Sequence, residues 1–162
     1  MIEFRDFSFT YWGRAEPALR HVNLGISDGE RVLIAGPSGS GKSTLARCMN
    51  GLVPHFHGGT LSGRVMVDGR DSTETQPREL SARVGMVFQD PENQLVATDL
   101  EREVAFGPEN LGLPPSEIAA RVGEAIEMLG LSSLRGRTLT SLSGGEKQKA
   151  VIAGVLALRP GT

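Results

Sequence analysis

Apolar and polar positions alternate over residues 1–10, with Ile2, Phe4, Phe7 and Phe9 set against Glu3, Arg5 and Ser8. A period of two predicts a half-buried strand, and Asp6 marks a phase slip or bulge in it. Tyr11-Trp12-Gly13-Arg14 reads as a turn, and Pro17 keeps the next segment open. Val22, Leu24 and Ile26 share one face of a second strand over 21–27, close enough in sequence to pair antiparallel with the first. Asp28-Gly29 is a turn signal. The apolar run 31–35 predicts a buried strand, followed by a helical pattern, Leu45-Ala46-Arg47-Cys48-Met49. That helix should stop near Asn50-Gly51, with Pro54 beyond it. Residues 61–67, closed by Asp68-Gly69, predict another antiparallel strand. The polar stretch 70–77 reads as a surface loop, and 84–88 as a short apolar strand.

From 99 to 130 the pattern becomes helical. Leu100, Val104 and Phe106 form one apolar set, and Pro114-Pro115 separates it from a helix bearing Ile118, Val122, Ile126 and Leu129. Leu142-Ser143-Gly144-Gly145-Glu146 opens a last helix whose body, 150–158, is apolar on nearly all sides and so belongs inside a protein.

Between the run 31–35 and the first helix lies Gly36-Pro37-Ser38-Gly39-Ser40-Gly41-Lys42-Ser43-Thr44. Strand, glycine-rich turn and helix is the context of a phosphate loop. Gly36, Gly39 and Gly41 let the backbone curl so that several N–H groups face one anion. The helix start adds its dipole and unpaired N–H groups. Lys42 brings a charge for the β- and γ-phosphates, and Ser43 a hydroxyl for Mg²⁺.

Composition changes little in this picture. The 162 residues are 39% hydrophobic and 22% charged, as in a soluble domain with a real core. A net charge of −2 gives no electrostatic case for binding nucleic acid or an acidic membrane surface. Cys48 stands alone, so no internal disulfide forms; this fits a reducing compartment and a small core residue. Glu3, Arg5 and Asp6 break up the start, so no leader is expected. No apolar run approaches the roughly 20 residues of a membrane span. His55 and His57, at i and i+2 without a third ligand nearby, do not make a metal site.

Lys42 and Ser143 lie 101 positions apart (143 − 42), with Gln89 between them after a short strand. Phosphate loop, glutamine, then Leu142-Ser143-Gly144-Gly145-Glu146: over essentially its whole length the chain resembles the ATP-binding subunit of an ABC transporter. Ser-Gly-Gly at a helix start is a second anion site. Asp90-Pro91-Glu92-Asn93-Gln94-Leu95, Glu103-Val104-Ala105-Phe106-Gly107-Pro108-Glu109-Asn110 and Asn50-Gly51-Leu52-Val53-Pro54-His55 are similar to energy-coupling-factor ATPases, which energise uptake of vitamins or of transition metals.

The resemblance implies an α/β fold of P-loop NTPase type: a mixed sheet core, an N-terminal antiparallel β part and an inserted helical subdomain. It implies one incomplete domain over 1–162, with a nucleotide-binding core (1–88), a helical subdomain (89–141) and the signature with its helix (142–162). It implies that ATP and Mg²⁺ bind at residues 36–44, that Tyr11 stacks on adenine, and that Gln89 reaches Mg²⁺ and the attacking water. Trp12 could take the stacking role instead. Ser143, Gly144 and Gly145 match the signature that binds ATP held by the opposite protomer, and Ser143 can equally be a helix cap. The partners implied are a second ATPase subunit, head to tail, and an integral membrane component, with no nucleic acid; the place implied is the cytoplasmic face of the membrane, peripherally.

Lys149 stands where the family usually has arginine. The sequence stops before the family's next strand, which carries a Mg²⁺-binding aspartate and the catalytic glutamate, and before a later histidine. The expectation is that residues 1–162 alone are inactive and aggregate. Two other readings compete: a non-catalytic nucleotide-binding fragment, and a soluble ABC ATPase of DNA repair or translation. The second is disfavoured by the short spacing between motifs, the absence of heptads and the chain length.

Overall fold

The computed structural model describes residues 1–161. They form two compact units, Met1–Val84 with Gly161, and Gly85–Pro160.

The first unit is built on a four-stranded antiparallel sheet in the order β2-β1-β3-β4, with β1 Ile2–Tyr11, β2 Leu19–Ile26, β3 Gly59–Val67 and β4 Arg70–Asp71. Ile2, Phe4, Phe7 and Phe9 are all buried, which strict alternation would forbid. The register of β1 shifts between Phe4 and Phe7 against β2, and between Arg5 and Ser8 against β3. Asp6 takes up the extra residue with φ 46°. The bulge thus returns Phe7 to the core face, and its ring meets that of Phe4 edge-on at 5.9 Å. Asn23 Oδ1 accepts from the Asp6 N–H at 2.9 Å, so the bulged backbone keeps a partner. Opposite it, Gly63 has φ 76°, and a Cβ there would lie 2.3 Å from the Asp6 carbonyl oxygen. Burying each phenylalanine contributes about 1.5–3 kcal/mol. Val67 pairs with Arg70 across Asp68 and Gly69, both at positive φ, so Asp-Gly closes a two-residue hairpin where a loop was expected to follow.

Helix α1, Lys42–Met49, buries Thr44, Leu45 and Cys48 against this core and ends at Asn50, with Gly51 left-handed at φ 75°. Burial pushes the Cys48 thiol up to about 12, so it is an inert core group. A short turn, α2, follows over Leu52–His55, and α3 covers Pro77–Ser81, with proline in its first turn. The loop expected over 70–77 therefore contains β4 and gives way to a helix.

Two expected strands are absent. Residues 31–35 and 84–88 carry no regular structure. Leu33 is 90% exposed, and Val87 and Phe88 are exposed too. A strand needs a hydrogen-bonded neighbour, and among the described residues neither segment pairs with β1, β2, β3 or β4.

In the second unit, α4 Leu100–Asn110, α5 Pro115–Met128 and α6 Gly144–Ala157 enclose one core. Leu100 and Val104 of α4 are fully buried, four residues apart on one face; Phe106 falls off that stripe and is 48% exposed, against expectation. Ala150, Ala153 and Ala157 let α6 pack closely, and no residue over 150–158 is classed as exposed. Asp99 caps α4 by accepting from the Arg102 N–H at 3.0 Å. Arg121 of α5 donates to the carbonyls of Ala157 and Leu158, which otherwise end α6 without partners. Among the described residues no helix is long and apolar enough to cross a membrane.

Candidate functional site: an anion loop and two separate polar elements

The phosphate-loop residues arrange as their types demand. Gly39 and Gly41 are left-handed at φ 81° and 90°, and the Ser40 N–H bonds the Pro37 carbonyl at 3.3 Å. A Cβ on Gly36 would lie 2.8 Å from Ser40 Oγ. Lys42 curls back over the loop, its Nζ donating to the carbonyls of Gly36 and Pro37, each at 2.8 Å, and to Ser40 Oγ at 3.4 Å. An ammonium group is thus held over the loop. Helix α1 has no side-chain cap and no acidic residue in its first turn. Its first N–H groups are therefore left for an incoming acceptor. Pro37, Ser38, Ser40 and Ser43 are exposed. Glycines at left-handed φ, an ammonium and uncapped helix N–H groups fit a polyphosphate; the exposed Ser43 hydroxyl suits a hard cation beside it.

Sequence reasoning did not foresee how Tyr11 attaches to this loop. Its hydroxyl lies 3.0 Å from Thr44 Oγ1, and Thr44 is buried. Its ring stands edge-on to Phe9 at 4.8 Å. Tyr11 is therefore pinned beside the end of the loop. Trp12 is 78% exposed and lies over Gly58, where a Cβ would meet its ring at 2.6 Å.

Gln89 belongs to the second unit and is exposed, just after the irregular segment 84–88. Gln94 ends the 3₁₀ turn Pro91–Gln94 and bonds back to that segment. Glu103, buried on α4, accepts from the backbone N–H groups of Val96 and Ala97 at 2.9 and 2.8 Å. Neither contact was foreseen; the spacing of 89–94 carries no hint of it.

Ser143 caps α6 in a reciprocal box: its Oγ accepts from the Glu146 N–H, and Glu146 Oε2 accepts from the Ser143 N–H at 2.7 Å and its hydroxyl at 2.8 Å. Those two bonds, the backbone one first, hold the Glu146 carboxyl below the usual carboxylate range. The helix-cap alternative for Ser143 is thus realised, with Glu146 adding the reciprocal bond. Gly144 and Gly145 are different. Their φ is not left-handed, and a Cβ on either would meet nothing within 4 Å. The fold of this chain does not require glycine there, and both positions are exposed beside the capped helix start. Among the described residues no group of three His, Cys, Asp or Glu side chains is placed to hold a metal ion.

The family model described as "ABC transporter" matches residues 19–161. A putative ABC transporter ATP-binding protein of Streptomyces coelicolor is 51% identical over 160 residues, covering 99% of this chain and 28% of the relative. The cobalt import ATP-binding protein CbiO of Syntrophus aciditrophicus is 46% identical, covering 99% of this chain and 56% of its own length. The chain thus spans between about a quarter and just over half of these curated relatives. Among solved structures, cbiO1 of Clostridium perfringens, part of the transporter complex cbiONQ, superposes with a TM-score of 0.84 at 34% identity, covering 98% of this chain and 62% of that one. The ATP-binding cassette MJ0796, a dimer in a post-hydrolysis state with ADP and Pi, gives 0.82 at 30% identity, covering 99% and 71%. With the family model matching residues 19–161, the chain belongs to the ABC transporter ATP-binding family.

Proposed function

We propose that this chain is the nucleotide-binding part of an ATPase subunit that energises an ABC importer of the energy-coupling-factor type, for a vitamin or a transition-metal ion. The carrying observation is the loop at 36–44, with its left-handed glycines and the Lys42 ammonium drawn over it. Lys42 neutralises charge on the β- and γ-phosphates; the N–H groups of the loop and of α1 orient them; Ser43 and Gln89 hold Mg²⁺. Bound Mg²⁺ supplies charge neutralisation, and phosphoryl transfer to water is then positioning more than covalent chemistry. Residues 1–162 form part of one cassette domain, with 89–141 its helical subdomain and 142–162 its signature part.

Two such subunits face head to tail at the cytoplasmic face of the membrane and engage an integral membrane component. The dimeric MJ0796 and the cbiONQ complex of the cbiO1 neighbour support that arrangement, and the cobalt-import relative supports the cargo class.

The decisive experiment uses Ser143→Arg in a polypeptide extended beyond residue 162 to the length of the relatives. ATP binding to a single protomer should survive and turnover should vanish, because a bulky cation replaces the capping hydroxyl at the helix start that the opposite site must receive. Mixed dimers should show two kinds of site. A monomer that loses ATP binding would make Ser143 a same-chain ligand and reject the head-to-tail arrangement.

Adenine recognition gives a second test. Tyr11→Ala should weaken ATP by about 1–3 kcal/mol, as for a base losing its stacking partner, and GTP by a similar amount. Tyr11→Phe, which drops only the bond to Thr44, should lose less. A Tyr11→Ala protein that titrates like wild type, beside an impaired Trp12→Ala, would move the stacking role to Trp12.

A further inference from the structure

We propose that Gln94 is a positioning residue for Gln89, holding the backbone from which Gln89 projects; this rests on the reading of the chain as an ATPase in which Gln89 acts at the nucleotide. The Gln94 side-chain amide donates through Nε2 to the Met86 carbonyl at 3.0 Å, and its Oε1 accepts from the Phe88 N–H at 3.0 Å. A carbonyl and an N–H that flank one residue are the pair a neighbouring parallel strand engages with a single residue. The carboxamide of Gln94 carries the same donor and acceptor as a peptide group, so it substitutes for that neighbour on a segment without a ladder. Its grip ends at the Phe88 N–H, one residue before Gln89.

The turn that carries Gln94 is itself fixed. Glu92 Oε1 accepts from Lys147 Nζ at 3.0 Å, and Lys147 lies in the first turns of α6, four residues after the Ser143 cap. Glu103 holds the other flank through Val96 and Ala97. One short turn thus ties the Gln89 segment on one side to the signature helix on the other.

The test uses the extended polypeptide, comparing wild type with Gln89→Ala, Gln94→Met and Gln94→Glu by ATP affinity without Mg²⁺, melting temperature, and kcat over pH and Mg²⁺ concentration. Gln94→Met keeps bulk and loses both bonds. Its kcat should fall about 10- to 100-fold, the range for a displaced catalytic group, with ATP affinity unchanged. Gln94→Glu adds a signature of mechanism. A neutral carboxylic acid offers one O–H and one carbonyl oxygen, as the amide does; the carboxylate offers no donor to Met86. Its kcat relative to wild type should therefore recover as pH falls through the ordinary carboxylic-acid range, about 5 to 4. Wild-type kcat in Gln94→Met, beside a crippled Gln89→Ala, overturns the positioning role and leaves the ATPase reading standing. Loss of ATP affinity and melting temperature together, with no recovery of Gln94→Glu at low pH, makes Gln94 merely structural and overturns it too. Undiminished turnover in Gln89→Ala, or none in wild type, overturns the reading beneath it and the proposal with it.

Discussion

Lys42→Ala should lose ATP affinity by about a hundredfold or more, the largest binding effect expected of any single change in this chain. The ammonium is the one full charge among residues 36–44. Its bonds to phosphate oxygens are charge-assisted, each about twice as strong as a neutral bond. Lys42 also bonds the carbonyls of Gly36 and Pro37, so truncation removes the charge and the tie that keeps the loop curled. Lys42→Met separates the two effects from lost packing, since it keeps most of the stem. Lys42→Arg should not restore binding, because a planar guanidinium cannot fit a cradle shaped for a compact ammonium. The side chain is only half-buried, so the melting temperature should hardly move. Equilibrium titration with a fluorescent ATP analogue measures the outcome, and an unchanged affinity at an unchanged melting temperature would end the phosphate-loop reading.

Much of the architecture is written in local pattern. The slip at Asp6 is visible because Phe4 and Phe7 both need the core, and only a bulge allows it. The Asp68-Gly69 hairpin and the Ser143–Glu146 box are short-range chemistry, decided by residues that are neighbours in sequence. Most of what failed needs a distant partner. The runs 31–35 and 84–88 have the composition of buried strands, but composition states only that a segment can join a ladder, not which strand supplies it. The tie between Tyr11 and Thr44 spans 33 residues and follows from the packing of α1 beneath the sheet. The Gln94 clamp has no periodicity at all. Phe106 was misplaced for a simpler reason: apolar residues two apart in a helix point nearly opposite ways, so Val104 and Phe106 cannot share one stripe. The same division runs through the site. The glycine-rich turn before α1 was legible because its pattern sits in nine consecutive residues, Gly36 to Thr44; the bonds of Gln94 to Met86 and Phe88 were not, because no periodicity marks them.

Gly41→Ala should destabilise the first unit far more than Gly39→Ala, although both glycines are left-handed members of the same loop. At Gly39 a Cβ would meet nothing within 4 Å, so alanine there costs only the left-handed backbone, about 1 kcal/mol. At Gly41 the same Cβ would lie 2.4 Å from the Ala18 carbonyl oxygen and 3.1 Å from Leu19 Cδ2. Ala18 cannot simply retreat. Its N–H bonds the Phe9 carbonyl at 2.8 Å, and Leu19 is buried where β2 begins to pair with β1. Relief must therefore come from the loop, by turning the peptides that lead into α1, or from the β1–β2 connection, by breaking its bond to Phe9. Strain and overpacking together put the cost at about 3 kcal/mol. Urea midpoints at constant m measure the difference. If the loop is what yields, ATP affinity must fall in Gly41→Ala beyond what the lost stability explains, because the N–H groups that enter α1 no longer converge on one anion. Equal midpoints for the two variants would mean that the connection yields freely, and that Ala18 does not hold the phosphate loop in register with the sheet.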